Sequence, residues 1–153
     1  MSLILNILWL FFGPGIIAGL LWLLAAVIMA VTIVGLPWAR ACVTIALFTF
    51  WPFGRAAVDR EDLTGREDIG TGTLGTLGNI LWFVLAGIWL AIGHVSAAIA
   101  LGLTIIGIPF AWQHLKLAHV SLFPIGKTIV ETEVADEIRR RKAAGILDRT
   151  RSA

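Results

Sequence analysis

The chain is written twice, and that duplication limits what it can fold into more than any other feature. Ile33-Val34-Gly35-Leu36-Pro37 returns as Ile105-Ile106-Gly107-Ile108-Pro109 at an offset of 72 residues. At the same offset Trp51-Pro52-Phe53-Gly54-Arg55 falls on Phe123-Pro124-Ile125-Gly126-Lys127, and Val58 falls on Val130. Upstream, Asn6-Ile7-Leu8-Trp9 matches Asn79-Ile80-Leu81-Trp82 after a one-residue slip. Internal repetition fixes architecture before local propensity does. It divides the chain into a first unit (1–58), a connector (59–78), a second unit (79–130) and a tail (131–153).

What such a unit can be follows from its apolar runs. The chain is 58% apolar and only 14% charged, with mean hydropathy +0.89. No Asp, Glu, Lys or Arg precedes Arg40, and none lies between Leu77 and Gln113. Each run exceeds the roughly 20 residues that span a bilayer core. Two such runs without polar faces exclude a soluble domain and define an all-α integral membrane protein. The lipid bilayer is therefore its first partner. The tail cluster Arg139–Lys142 is short and preceded by Glu131, Glu133, Asp136 and Glu137, which argues against nucleic acid. Cys42 stands alone, so no intramolecular disulfide forms, and its apolar helix makes it a packed thiol. The N-terminus lacks a basic n-region, so its apolar run reads as a retained helix.

Each unit then reads as a helical hairpin, giving about four membrane helices with the second of each pair short. Residues 3–12 form a short helix closed by Gly13-Pro14-Gly15, with Asn6 and Trp9 on one face as interfacial anchors. Ile16–Val34 crosses, and Gly15 with Gly19 suits close helix contact. Gly35 is expected to cap that helix in a left-handed conformation. Pro37 opens the next helix, and Leu36 before it is pushed out of the helical region. Gly107 and Pro109 repeat this structural turn in the second unit. The return arm Trp38–Phe53 is about 16 residues, or roughly 24 Å, short enough to cross a thinned bilayer or to re-enter. The string Gly70-Thr71-Gly72-Thr73-Leu74-Gly75 matches a dinucleotide fingerprint but lacks its preceding strand and later carboxylate, so it reads as a flexible linker. The tail forms a short cytoplasmic helix with Val130, Val134 and Ile138 on one side. If each unit is a hairpin, the positive residues of the connector and tail face the cytoplasm, with Arg40 near the far turn as the exception. If the return arms fail to cross, the repeats are inverted and Arg40, Arg55, Arg60 and Arg66 face outward. The positive-inside rule favours hairpins with both termini in the cytoplasm.

The units diverge in their return arms, and that divergence is the functional lead. Gln113, Lys116 and His119 form one stripe, with Trp112 beside it and His114 to one side, where the first unit has Ala41, Thr44 and Leu47. Such residues line a pathway in a bundle interior, or else face headgroups from an interfacial helix with Lys116 reaching water. Arg40 joins them as a candidate polar residue. His94 is best read as a helix-packing hydrogen bond. No catalytic constellation, metal-ligand spacing or cofactor motif is present, so neither an enzyme nor a cofactor is expected.

The paired motifs N-I-x-W, I-x-G-[LI]-P and [WF]-P-x-G-[RK], in order from Leu5 to Val130, resemble the YccF family of bacterial inner-membrane proteins. The resemblance implies a multi-pass protein of the inner membrane built from two inner-membrane component domains. It brings no established biochemical activity, so no catalytic residues carry over. The expected function is an oligomeric pore or transport component, which would need a homo-oligomer to enclose a conduit. The alternative is a non-transporting scaffold or accessory subunit of a larger membrane complex, with a membrane-protein partner.

Overall fold

The computed structural model describes residues 1–68 and 70–151. The first unit runs α1 (Ser2–Phe12), α2 (Gly15–Val31), a 3-10 turn (Ile33–Gly35), α3 (Leu36–Phe50), β1 (Arg55–Asp59) and a short α4 (Arg60–Thr64). The second runs α5 (Thr73–Trp82), a π turn (Phe83–Gly87), α6 (Ile88–Gly102), α7 (Ile108–Leu122), β2 (Lys127–Glu131) and α8 (Thr132–Arg151). Ile33–Phe50 and Thr73–Gly102 are long and apolar enough to cross a membrane. The pair α1 and α2 reaches that length only together, bent by 73°.

The bend follows from Gly13-Pro14, where proline supplies no N–H and blocks a continuous helix. The second unit has Ala86-Gly87 in that region and passes through as one rod with a π turn. The one-residue slip in the repeat falls here. A side chain on Gly15 would meet the Trp9 indole, and one on Gly87 would meet that of Trp82. The spacing between tryptophan and glycine is six positions in one unit and five in the other.

The protein is an all-α membrane protein of two tandem hairpins, α2 on α3 and α6 on α7. Ile17, Leu20, Leu24 and Ile28 of α2 and Trp89, Ile92 and Ile99 of α6 are exposed, an apolar surface suited to lipid. The core lies between the return arms, where Trp9, Cys42, Ile45, Phe48, Leu117 and Val120 are fully buried. Gly19 sits against the ring of Phe50, which is how α2 approaches α3 so closely. The start of each return arm meets the end of the other. Phe110 packs edge-on to Phe53 at 5.7 Å, and Trp38 donates to the Gly78 carbonyl beside Ile125. The arms α3 and α7 therefore run in opposite directions.

One element was not expected. β1 and β2 pair antiparallel with Ala57 opposite Ile129, Arg55 opposite Glu131 and Asp59 opposite Lys127. Ala57 and Ile129 are equivalent positions of the two units, so the ribbon is symmetric about a pseudo-two-fold axis through that pair. The symmetry extends to its flanks: Arg60 N–H donates to the Gly126 carbonyl at 2.8 Å, and Thr132 N–H to that of Gly54 at 3.0 Å. α8 lies on the ribbon through Ala135 and Ile138, which join Ala56, Val58 and Val130. Val134, expected on the same side, is exposed.

The turns also differ from expectation. Gly35 has φ −79°, and Leu36 is helical at φ −53°. The 3-10 turn runs directly into α3, with Leu36 N–H bonded to the Ile33 carbonyl, so proline's neighbour stays helical. Gly35 is required for space instead: a Cβ there would strike the Met29 carbonyl and the Thr32 hydroxyl, and Gly107 meets Leu101 and Thr104 likewise. Left-handed glycines stand instead in the third motif, at Gly54 and Gly126 with φ 81° and 89°, and after α4 at Gly65 with φ 68°.

Candidate functional site

The three repeated motifs converge on one device. In the first unit Asn6 donates Nδ2–H to the Phe53 carbonyl at 3.0 Å and accepts the Phe53 N–H at 3.0 Å. Asn79 makes the same pair of bonds with Ile125, each at 2.9 Å. Trp9 Nε1–H donates to the Thr49 carbonyl at 2.7 Å, and Trp82 to that of Ser121 at 2.9 Å. An asparagine side chain presents the donor and acceptor of a peptide group, so it can pair with a chain that has just left a helix at proline. The indole meets a carbonyl left over at the helix end. Asn6 and Trp9 are thus fully buried rather than interfacial anchors. Their hydrogen bonds hold them inside against the preference of tryptophan for headgroups.

The divergent arm does not present its polar residues as one stripe. Gln113 is buried, with Nε2–H donating to the Pro109 carbonyl at 3.3 Å and Oε1 without a partner among the described residues. Lys116 reaches across to the first unit, where its ammonium donates to the carbonyls of Pro52 and Arg55, both at 2.8 Å. It also stands 5.3 Å from the Phe48 ring centre. His119 and Trp112 are exposed. His114 is buried, its Nδ1 lying 3.1 Å from Nδ1 of His94, with the Trp9 ring 5.1 Å away. One of the two imidazoles must be the donor, so His94 makes the packing hydrogen bond expected of it. Among the described residues no group of three or more His, Cys, Asp or Glu is placed to hold a metal.

Arg40 is placed differently from expectation. It lines one cavity with Arg60, Asp68, Gly70 and Pro124–Gly126, which puts it beside the connector and ribbon rather than remote from them. The opposed directions of α3 and α7 are the reason, since they bring the first turn of α3 to the segment that follows α7. The described part of the connector is tied down by hydrogen bonds around Asp68. Asp68 accepts two bonds from Arg60, at 2.7 and 2.8 Å, and the N–H groups of Gly70 and Thr71. Arg60 holds the Asp68 carboxyl down at about 2, against an ordinary 3.8. The Gly/Thr string is a turn that starts α5 at Thr73. On the other side of the ribbon, Lys142 of α8 bridges to Asp62 of α4 at 2.7 Å.

Duplicated hairpins latched by a buried asparagine and tryptophan, with a polar ribbon outside an apolar body, define a multi-pass integral membrane protein made of two tandem domains. A family model, the YccF inner membrane component domain, matches twice, over residues 4–55 and 77–127. The chain belongs to the YccF family. It is 35% identical over 144 residues to Inner membrane protein YccF of Escherichia coli (strain K12) and to the protein of that name of Shigella flexneri. The match covers 94% of this chain and 97% of each relative. No solved structure matches the chain. Its relatives are inner-membrane proteins by name, and the inner membrane is its location.

Proposed function

We propose that the protein is a non-transporting scaffold or accessory subunit of the inner membrane, with its ribbon, α4 and α8 presented to a membrane-protein partner on the cytoplasmic side. The observation that carries this reading is the use of Lys116. A lysine lining a conduit keeps its ammonium in water, whereas this one is held by two main-chain carbonyls of the other unit. The space between the return arms is filled by large side chains, with Ile45, Phe48, Leu117 and Val120 fully buried. The cationic residues Arg55, Arg60, Arg139, Arg140 and Arg141 gather with the ribbon and α8, and Arg40 now joins that side, so the positive-inside rule favours a cytoplasmic head and cytoplasmic termini.

The pore or transport reading needs a homo-oligomer with a conduit between copies. One observation favours it: Gln113 Oε1 is buried without a partner among the described residues, a state that water in a pathway would relieve. The two readings separate in proteoliposomes. The scaffold reading expects no ion or solute flux above empty vesicles. It also expects site-specific crosslinks from exposed Ile146 and Leu147 of α8 to a larger membrane protein in native membranes. Flux that falls in Lys116→Met or Gln113→Leu would replace it with the pore reading.

A further inference from the structure

The two return arms begin in different polar surroundings, and in the first unit the difference leaves Arg40 facing a cavity beside the connector. In the second unit the cavity beside the equivalent turn is smaller, about 210 Å³, and is lined by Trp112, Leu115 and Lys116. Trp112 stands at the position equivalent to Arg40, and the Lys116 ammonium closes on the Pro52 and Arg55 carbonyls. In the first unit Thr44 replaces that lysine and turns its hydroxyl back to the Arg40 carbonyl. What remains is a cavity of about 310 Å³ between the first turns of α3 and the connector. Its lining combines apolar Leu36, Pro37 and Ile125 with Arg40 and the Arg60–Asp68 pair.

We propose that this cavity binds a phosphate group, borne by an anionic phospholipid or free in solution, with Arg40 as its principal ligand. Among the described residues Arg40 has no ion-pair partner, while Arg60 is neutralised by Asp68 at 2.7 Å. The cavity therefore carries a net single positive charge at the junction of polar connector and apolar helix. Guanidinium is suited to the planar, bidentate contact that phosphate oxygens accept. Arg60 is mostly buried and fixed in place by its two bonds to Asp68, so Arg40 is left as the uncompensated cation of the cavity. The apolar part of the lining suits the first carbons of an acyl chain, which favours the lipid source. The inference is independent of whether the protein is a scaffold or a pore.

The test uses the full chain, with Arg40→Gln and Arg40→Lys as variants and Lys142→Gln as a surface-charge control. Protein is taken from nanodiscs of equal parts phosphatidylglycerol and phosphatidylcholine, and the retained lipids are counted by native mass spectrometry. In a second arm, inorganic phosphate is titrated calorimetrically into detergent-purified protein. The wild type should retain phosphatidylglycerol in preference to phosphatidylcholine by about tenfold, the order expected of one charge-assisted contact. That preference should vanish in Arg40→Gln, be partly kept in Arg40→Lys and be unchanged in Lys142→Gln. Saturable phosphate heat lost in Arg40→Gln, without lipid preference, assigns the same site to free phosphate. Equal lipid retention by wild type and Arg40→Gln, with no phosphate heat, overturns the proposal. Arg40 is exposed and ends no core contact, and Arg40→Lys keeps the test readable if the glutamine variant loses its fold.

Discussion

Replacing Asn6 by alanine removes both hydrogen bonds that tie α1 to the chain after Pro52, and the size of the loss can be worked from its surroundings. Asn6 is fully buried, and its loss leaves the N–H and the carbonyl of Phe53 unpaired inside the protein. Each orphaned group costs about 1–3 kcal/mol, so the variant should lose about 4 kcal/mol. At a few degrees per kcal/mol for a chain of this size, that is a fall of roughly 10 °C in the unfolding midpoint. Asn79 makes the same two bonds but is only half-buried, so water can partly replace them. Asn79→Ala should lose about half as much, near 2 kcal/mol. Thermal unfolding followed by tryptophan fluorescence in one detergent measures both, with Trp9 reporting directly on the first latch. Asn6→Asp is the informative control. It keeps an acceptor for the Phe53 N–H but turns a carboxylate towards the Phe53 carbonyl, so it should be no more stable than Asn6→Ala. If Asn79→Ala proves the more damaging, or Asn6→Ala shifts the midpoint by less than about 2 °C, the latch is not what closes each unit.

Other outcomes follow from the same geometry. Single cysteines at Thr64, Thr132 and Arg40, in a Cys42→Ser background, should label from one side of the membrane; labelling of Arg40→Cys from the opposite side would contradict its place beside the connector. Gly19→Ala forces a methyl into the Phe50 ring and should cost about 1–3 kcal/mol, whereas Gly93→Ala, with open space around it, should be neutral or slightly stabilising. Lys116→Met loses two partly screened, charge-assisted bonds and should cost about 2 kcal/mol in detergent unfolding. Because the Asp68 pKa is depressed, its contribution is complete above about pH 4 and is lost as pH falls through about 2. Amide exchange at Gly70 and Thr71 should accelerate over that interval in wild type, and should already be fast at pH 5 in Asp68→Asn.

Much of this was legible in the sequence because repetition reports on structure without needing any propensity. Gly35-x-Pro37 and Gly107-x-Pro109 marked the turns correctly, although for want of room at Gly35 rather than for a left-handed backbone. The apolar runs identified the helices, since a bilayer sets their length. What stayed hidden were contacts made between side chain and distant main chain. Asn6 and Phe53 lie 47 positions apart, and neither residue type announces the other. Trp9 was misplaced at the headgroups for the same reason. The ribbon was invisible because Arg55–Asp59 and Lys127–Glu131 are each five residues long, carry a charge at both ends and are stabilised chiefly by one another. Gln113, Lys116 and His119 share helical spacing but not surroundings, being buried, half-buried and exposed in turn. A long lysine side chain can reach around its helix to a carbonyl, and spacing alone does not say which way it leans.

A strand that pairs with its own counterpart across a two-fold axis needs no sequence but its own. With Ala57 and Ile129 at the same place in each unit, one unit's strand carries the register that a symmetric pair of such units requires. Carrying both copies in one chain makes that pairing intramolecular and frees the copies from identity. Each half became free to change without duplicating the change across the axis. One could keep an arginine at the mouth of its cavity, and the other could close the matching space with a lysine.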